Sequence, residues 1–172
     1  MNRELWEKSV GFHGHECPGL AIGVRACEAA AERLGVSYSK DEEVVCITEN
    51  NACGVDAVQF ITGCTFGKGN LIFKDKGKQA FTFFRRDIGQ GIRVVFKGVN
   101  KLGDRKKWQE YILNAPLNEL FDFKTPNYEL PPKAKIYSSV QCEICGEYAA
   151  ESRIRLKDGQ KVCLDCFSES NN

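Results

Sequence analysis

The hydrophobic positions of this chain follow two spacings, and the order of the two predicts its fold. Residues 18–34 carry apolar side chains at intervals of three or four, the spacing of one buried helix face. Proline suits the first position of a helix and glycine commonly ends one, so Pro18 and Gly35 bound this helix and leave Cys17 as its N-cap. Shorter helices are predicted over residues 4–10, 52–62, 104–113 and 117–121, with Asn51 capping the second of them.

Strand-like runs occupy the middle of the chain. Apolar and β-branched residues predict strands at 44–48, 71–74, 80–85 and 92–97, with turn residues between them. Helices precede and follow these strands and do not alternate with them one for one. This order favours an α+β fold, with helices packed on a mostly antiparallel sheet, over regular βαβ winding.

A change in composition marks a domain boundary. Three of the five prolines lie within residues 124–133, and proline fixes φ and removes a hydrogen-bond donor, so this stretch is predicted to be an extended, irregular linker. We therefore expect a core domain over residues 1–135 and a small C-terminal domain over residues 136–172.

The cysteines indicate where the chemistry lies. Their number, nine, is odd and excludes a complete intrachain disulfide framework. The N-terminal residues contain no apolar signal core, and no run approaches the ~20 apolar residues of a membrane span. We expect a soluble, cytoplasmic protein with reduced thiols, whose cysteines serve metal binding, redox chemistry or simple burial.

Four cysteines near the C-terminus predict a structural zinc site. Cys142 and Cys145 form one C-x2-C pair, and Cys163 and Cys166 form another. Between the pairs, Asp158-Gly159 predicts a hairpin turn, and the second pair opens a short helix over residues 164–169. This order is typical of a treble-clef zinc finger, in which the metal supplies much of the folding free energy.

The charge balance argues against nucleic acid as a partner. The chain has 24 basic and 23 acidic residues, a net charge of +1. Residues 133–172 hold six of each sign, and a zinc tetrathiolate adds about two negative charges. Because nucleic-acid binding depends on an excess of lysine and arginine, we expect no such binding.

A second metal-type constellation begins near the N-terminus. Residues 11–19 contain both histidines of the chain, and His13, His15 and Cys17 alternate, so an extended segment would place all three on one side. Imidazole and thiolate together suit zinc, iron, nickel or copper. At a helix N-terminus, the Cys17 thiolate would be stabilised by the helix dipole, as a ligand or as a nucleophile.

The other half of this constellation lies in residues 50–59. Cys53 is predicted in the first turn of a helix, and Asp56 lies one turn later on the same face. Asp56 is a candidate ligand, an acceptor for a histidine N–H or an acid/base group. Where these two helix starts converge, we expect an electropositive cleft suited to a metal or an anion.

The remaining cysteines differ in their surroundings. Cys27 and Cys46 lie on apolar faces and are predicted to be small buried side chains. Cys64 opens a glycine-rich loop containing Lys68, which is one residue too short for a phosphate loop and lacks its Ser/Thr. Cys64 and Lys68 remain candidates for an anion-binding or cofactor-binding turn, and the alternative is an ordinary exposed loop.

Three motifs resemble a known family. In order they are GFHGHECPG at 11–19, ENNACGVDAVQ at 49–59 and TGCTFGKGN at 62–70. Together they resemble the FmdE family of formylmethanofuran dehydrogenase proteins, some members of which also carry a C-terminal treble-clef finger. The resemblance implies an α+β core, a homodimer and a cleft lined by His13, His15, Cys17, Cys53, Asp56, Cys64 and Lys68.

The resemblance also implies a function. The namesake enzyme is a molybdenum or tungsten oxidoreductase of one-carbon units in methanogenesis, and FmdE is accessory to it. We therefore expect a metal-binding accessory protein linked to one-carbon redox metabolism, with a structural zinc, a possible second transition metal in the core and a redox enzyme complex as partner. Two alternatives stay open, a stand-alone enzyme using Cys17 or Cys53 as thiolate with His13 or His15 as base, and a zinc-finger adaptor protein.

Overall fold

Helices cover one face of a five-stranded sheet in the first part of the chain. The computed structural model describes residues 2–98 and 103–168, and the chain divides into two compact units, Met1–Ala134 and Lys135–Asn172. The elements of the first unit are α1 (Arg3–His13), α2 (Pro18–Leu34), β1 (Val44–Thr48), α3 (Gly54–Thr62), β2 (Leu71–Phe73), β3 (Ala80–Arg85), β4 (Gln90–Phe96), α4 (Arg105–Asn114), α5 (Leu117–Leu120) and β5 (Phe121–Lys124).

The sheet is mostly antiparallel, as predicted. Its strand order is β2-β1-β3-β4-β5, and only the β1–β2 pair is parallel among the described strands. The parallel pair follows from the connection, because α3 lies between β1 and β2 in the chain and such a crossover returns the second strand in the same direction. The α+β fold class is confirmed.

Strand alternation divides the apolar residues between two faces. Phe81, Phe83 and Val94 pack with the helices in the main core. Val45, Ile47 and Phe84 point to the opposite face, where they pack against the half-buried side chains of Tyr128 and Leu130. The proline-containing stretch predicted as a linker therefore packs on the first unit.

Arg86 holds the end of this stretch. Its guanidinium donates to the carbonyl oxygens of Pro131 at 2.6 Å and Pro132 at 3.1 Å. The prolines leave these carbonyls free for a side-chain donor because the segment makes no strand of its own.

The boundaries of α1 and α3 differ from the sequence prediction. α1 continues to His13 instead of ending near residue 10, and Gly14 terminates it with φ of 90°. α3 begins at Gly54 with Cys53 as N-cap, and Asn51 is an exposed residue before it. The expectation that Asn51 caps α3 is wrong, because the neighbouring Asn50 side chain occupies the turn that leads into the helix.

Residues 117–121 contain the start of a strand that the sequence pattern does not predict. The pattern indicates a helix throughout, but α5 ends at Leu120 and the chain continues as β5. The pairs Val94↔Phe123 and Phe96↔Phe121 place β5 on the edge of the sheet. A strand of four residues carries too little pattern to be recognised locally, so its pairing with β4 decides its conformation.

The second unit consists of two small hairpins and a short helix. Its elements are β6 (Ser139–Gln141), β7 (Tyr148–Ala150), a 3-10 turn (Glu151–Arg153), β8 (Arg155–Lys157), β9 (Gln160–Val162) and α6 (Leu164–Ser168). Asp158 and Gly159 form the predicted turn with φ of 51° and 83°. Glu169, the last residue of the predicted final helix, lies outside the described residues.

Within the described part of the chain, no helix has the length and apolar character needed to cross a membrane.

Candidate metal centres

Three glycines let α2 and α3 cross with their backbones almost touching. A Cβ added at Gly23 would lie 2.2 Å from the carbonyl oxygen of Gly54, and one added at Gly54 would lie 2.9 Å from that of Gly19. Only residues without a side chain allow this approach. Because Cys17 is the N-cap of α2 and Cys53 the N-cap of α3, the crossing brings the two thiols together.

Four potential ligands meet at this crossing. One ligand atom from each residue lies within 4.8 Å of the others, and the residues are His13, His15, Cys17 and Cys53. His13 comes from the last turn of α1, and the left-handed Gly14 reverses the chain so that the two imidazole rings lie 4.4 Å apart. The expectation of an extended segment is therefore wrong in local conformation, since His13 is helical.

Asp56 fixes the orientation of His13. Its Oδ2 lies 2.7 Å from Nδ1 of His13, and its Oδ1 accepts a hydrogen bond from Nε2 of Gln59 at 3.3 Å. A carboxylate at this distance favours the tautomer with the proton on Nδ1, which leaves the lone pair of Nε2 free. That nitrogen faces Sγ of Cys17 at 3.9 Å.

The two thiols have different environments. Cys17 is 2% exposed, and its sulfur accepts a hydrogen bond from the backbone N–H of Leu20 at 3.3 Å. This bond and the positive end of the α2 dipole both favour a thiolate. Desolvation raises the pKa of the Cys53 thiol, and the adjacent Cys17 sulfur raises it further. A cation between the sulfurs would relieve this repulsion.

This donor set fits a transition metal. Two imidazoles and two thiolates are the ligands of a Cys2His2 zinc site, whose donor atoms lie roughly 3.3–3.8 Å apart around the ion. The 4.8 Å limit on the present separations exceeds that by about an ångström. His15 is the exposed member of the group, so its side chain can make the adjustment. Asp56 then acts as the acceptor behind a ligand.

Two predicted site residues lie outside this group. Cys64 is fully buried, its thiol donates to the carbonyl of Val44 at 3.5 Å, and burial raises its pKa to about 11. Lys68 donates from Nζ to the carbonyls of Ser39 at 2.8 Å and Lys40 at 3.4 Å. Both side chains are thus engaged with the loop that leads into β1.

Gln59 and Asn50 support the site, although the sequence pattern does not single them out. Gln59 follows Asp56 by three residues on the same helix, a spacing that could have suggested the contact. Cys27 and Cys46 are buried, as predicted, and burial raises the pKa of both thiols.

The second unit gathers its four cysteines. The sulfurs of Cys142, Cys145, Cys163 and Cys166 lie within 4.8 Å of one another. The first pair lies in a tight turn in which the N–H of Gly146 donates to the carbonyl of Cys142 at 2.9 Å. The N–H of Cys163 donates to the sulfur of Cys142 at 3.3 Å.

The cysteines of this cluster differ in acidity. Backbone N–H groups near Cys145 and Cys163 lower the pKa of Cys142 to about 6. Burial and the neighbouring sulfurs raise the pKa of Cys166 to about 12. One thiolate therefore forms readily, while four together need a cation, as in a zinc tetrathiolate.

The fold and the two clusters define a class of protein, an α+β core with a His/Cys site joined to a four-cysteine finger. Two family models match the chain in agreement with this division. One, described as "FmdE, Molybdenum formylmethanofuran dehydrogenase operon", matches residues 12–122, and the other, "Prokaryotic dksA/traR C4-type zinc finger", matches residues 135–172. The chain belongs to the FmdE family, and its C-terminal unit is a C4 zinc-finger domain.

Individual proteins agree with this membership. The crystal structure of a tungsten formylmethanofuran dehydrogenase FmdE-like protein from Syntrophus aciditrophicus is 26% identical, with a TM-score of 0.67 over 98% of this chain and 93% of that one. A protein of Archaeoglobus fulgidus named "Probable S-adenosyl-L-methionine-binding protein" is 36% identical over 190 residues. That match covers 90% of this chain and 50% of the relative, so the chain spans about half the length of that relative.

Proposed function

We propose that this protein is a metal-binding accessory protein of one-carbon redox metabolism, with a transition metal in the core cluster and a structural zinc in the finger. The observation that carries the proposal is the arrangement behind His13. Asp56 holds the Nδ1 proton and Gln59 holds Asp56, so Nε2 is free toward the two thiols. Metal-binding histidines commonly have such a carboxylate partner.

The core residues have separate tasks in this proposal. Cys17 and Cys53 supply negative charge at two helix N-termini, and His13 supplies a fixed neutral donor. His15 is exposed and is the ligand closest to solvent. A bound metal would supply Lewis-acid or redox chemistry at this point.

The physiological role rests on family relations. The matching family model and the solved structure both carry the name of formylmethanofuran dehydrogenase, and this supports a molybdenum or tungsten oxidoreductase complex as partner. We propose that the protein acts in the cytoplasm as a homodimer. Light scattering in solution should then give twice the mass of the chain, and a mass equal to one chain would contradict the dimer.

Metal analysis of purified protein tests the metal sites. We expect two metal ions per chain in the wild type, one in the His15→Ala plus Cys17→Ser variant, and one in Cys142→Ser. Cys27→Ala is the matched control, because Cys27 is a buried cysteine outside both clusters, and it should retain two. One metal in the wild type that disappears only in Cys142→Ser would refute the core site.

A second candidate function is thiolate catalysis by Cys17. The contacts from Asp56 to His13 and from His13 to Cys17, 2.7 Å and 3.9 Å, resemble the order of acid, base and nucleophile in a cysteine hydrolase. If this function is correct, chelated protein should alkylate rapidly at Cys17, and Asp56→Asn should slow the reaction. Equal alkylation rates for the wild type and Asp56→Asn would remove this candidate.

A further inference from the structure

The loop between β1 and α3 delivers Cys53 to the core cluster, and the sulfur of Cys53 does not hold it there. The side chain of Cys53 makes no capping hydrogen bond to α3, although the residue stands at the N-cap. Asn51, the polar residue that the sequence favours as a cap, is exposed. The conformation of this loop must therefore be set by another group.

Asn50 is the buried polar residue of this loop. It is 5% exposed, and its side-chain amide bridges two segments. Nδ2 donates to the carbonyl of Lys78 at 2.9 Å, and Oδ1 accepts from the N–H of Ala52 at 3.1 Å. The main chain of Asn50 is also tied, because its carbonyl accepts from the hydroxyl of Thr48 at 2.7 Å.

The segment that Asn50 reaches is itself anchored to the sheet. The N–H of Lys78 donates to the carbonyl of Glu49 at 3.2 Å, and the N–H of Glu49 donates to the carbonyl of Ala80 at 3.0 Å. On the sheet face opposite the helices, the Glu49 carboxylate accepts two hydrogen bonds from Arg93, at 2.7 and 2.8 Å. The amide of Asn50 therefore attaches the loop to a rigid support.

The bond from Asn50 to Ala52 sets the first turn of α3. The carbonyl of Ala52 accepts from the N–H of Val55 at 2.9 Å, and the carbonyl of Cys53 accepts from the N–H of Asp56 at 3.2 Å. This single turn carries both the Cys53 thiol and the Asp56 carboxylate. A rotation of the Ala52 peptide would displace a ligand and the group that orients His13 at the same time.

We infer that Asn50 is a positioning residue of the core metal site, which acts through the Ala52 peptide and touches none of the four ligands. The inference rests on the proposed function, since it requires that the core cluster bind a metal. Residues behind the ligands of a metal site typically change its affinity about 10–100-fold when they are removed.

Cobalt binding to the full chain tests this role. Co²⁺ replaces zinc and reports its thiolate ligands by a charge-transfer absorption, and the His15→Ala plus Cys17→Ser variant supplies the spectrum of the finger alone. For Asn50→Ala we expect the cobalt affinity of the core site to fall about 10–100-fold. The core charge-transfer absorption at saturating cobalt should fall by about half, because one of two thiolates leaves the ion.

Two further variants make the test specific. Asn51→Ala is the matched control, an exposed asparagine one position away, and it should keep the affinity and spectrum of the wild type. Asn50→Asp retains an acceptor for the Ala52 N–H and loses the donor to the Lys78 carbonyl. We expect its cobalt affinity to lie between those of the wild type and Asn50→Ala.

The outcomes separate a positioning role from a merely structural one. If Asn50→Ala unfolds more easily yet shows the full core spectrum and affinity, the inference is overturned. If Asn50→Ala does not fold, Asn50→Asp decides, and an affinity equal to that of the wild type overturns the inference. A wild-type protein that shows only the finger spectrum refutes the proposed function itself.

Discussion

Replacing Gly23 by alanine should damage the fold and the core site together. A Cβ at this position would lie 2.2, 2.6 and 2.7 Å from the carbonyl oxygen, Cα and carbonyl carbon of Gly54. All three are backbone atoms, so no side chain can rotate away. Ordinary contact begins at 3.4 Å, and 3.4 − 2.2 = 1.2 Å is the distance by which α2 and α3 must separate at the crossing.

The cost can be estimated from two opposing terms. Overpacking in a dense core costs about 1–3 kcal/mol, and a contact with immobile backbone belongs at the upper end. Alanine in place of glycine gains about 1 kcal/mol from helix propensity. The net loss of unfolding free energy is about 2 kcal/mol, which lowers the urea midpoint by about 1 M for a typical dependence on denaturant.

Tryptophan fluorescence during urea unfolding is the appropriate assay. Both tryptophans, Trp6 and Trp108, are buried in the main core, so the signal reports the first unit. Gly11→Ala is the control, because Gly11 also lies in a helix and a Cβ there meets nothing within 4 Å. It should stabilise the protein by up to about 1 kcal/mol.

The metal site supplies the second measurement. Separating the helices moves the Cys17 and Cys53 thiols apart, so Gly23→Ala should also bind cobalt more weakly at the core site, while Gly11→Ala should not. Equal urea midpoints and equal cobalt affinities for the two alanine variants would refute the reasoning, since the crossing would then tolerate a side chain.

Two other perturbations test the sheet and the loop before β1. Arg93→Met leaves the buried carboxylate of Glu49 without its bidentate partner and should cost about 3–5 kcal/mol, with part of the loss recovered in the double variant with Glu49→Gln; an unchanged urea midpoint for Arg93→Met would contradict this. Hydrogen bonds from the Ser39 hydroxyl and from backbone N–H groups lower the pKa of Glu43 from 4.5 to about 2, so its stabilising contribution is complete above pH 4.5 and is lost as the pH falls toward 2. Glu43→Gln should therefore reduce the loss of stability over that interval, measured by urea unfolding at several pH values, and an unchanged acid dependence would disprove the assignment.

Much of the fold could be predicted from the sequence because strong local signals agree with burial. The strands at 44–48 and 80–85 occupy the predicted residues, and all or nearly all of their side chains are buried. Pro18 and Gly35 bound α2 as expected, one at its first position and one after its last turn. β5 could not be found in this way, since its four residues become a strand only beside β4.

The candidate site was predictable in composition and not in geometry. His13, His15, Cys17 and Cys53 could be grouped because both histidines occur beside a cysteine and a second cysteine opens another helix. The crossing of α2 and α3 depends on facing glycines, and nothing in the local sequence indicates which glycines will face each other. Asn50 and Asn51 are likewise identical in type, and only the position of the Lys78 carbonyl decides which one turns inward.

The division after Ala134 has a consequence for inheritance. Among the described residues, every strand of the five-stranded sheet comes from before this point, and every strand of the finger comes from after it. A gene could gain or lose the C-terminal stretch without removing a hydrogen-bonded strand from the core sheet. Lineages of this family can therefore exchange the finger as a cassette while the His/Cys core is transmitted intact.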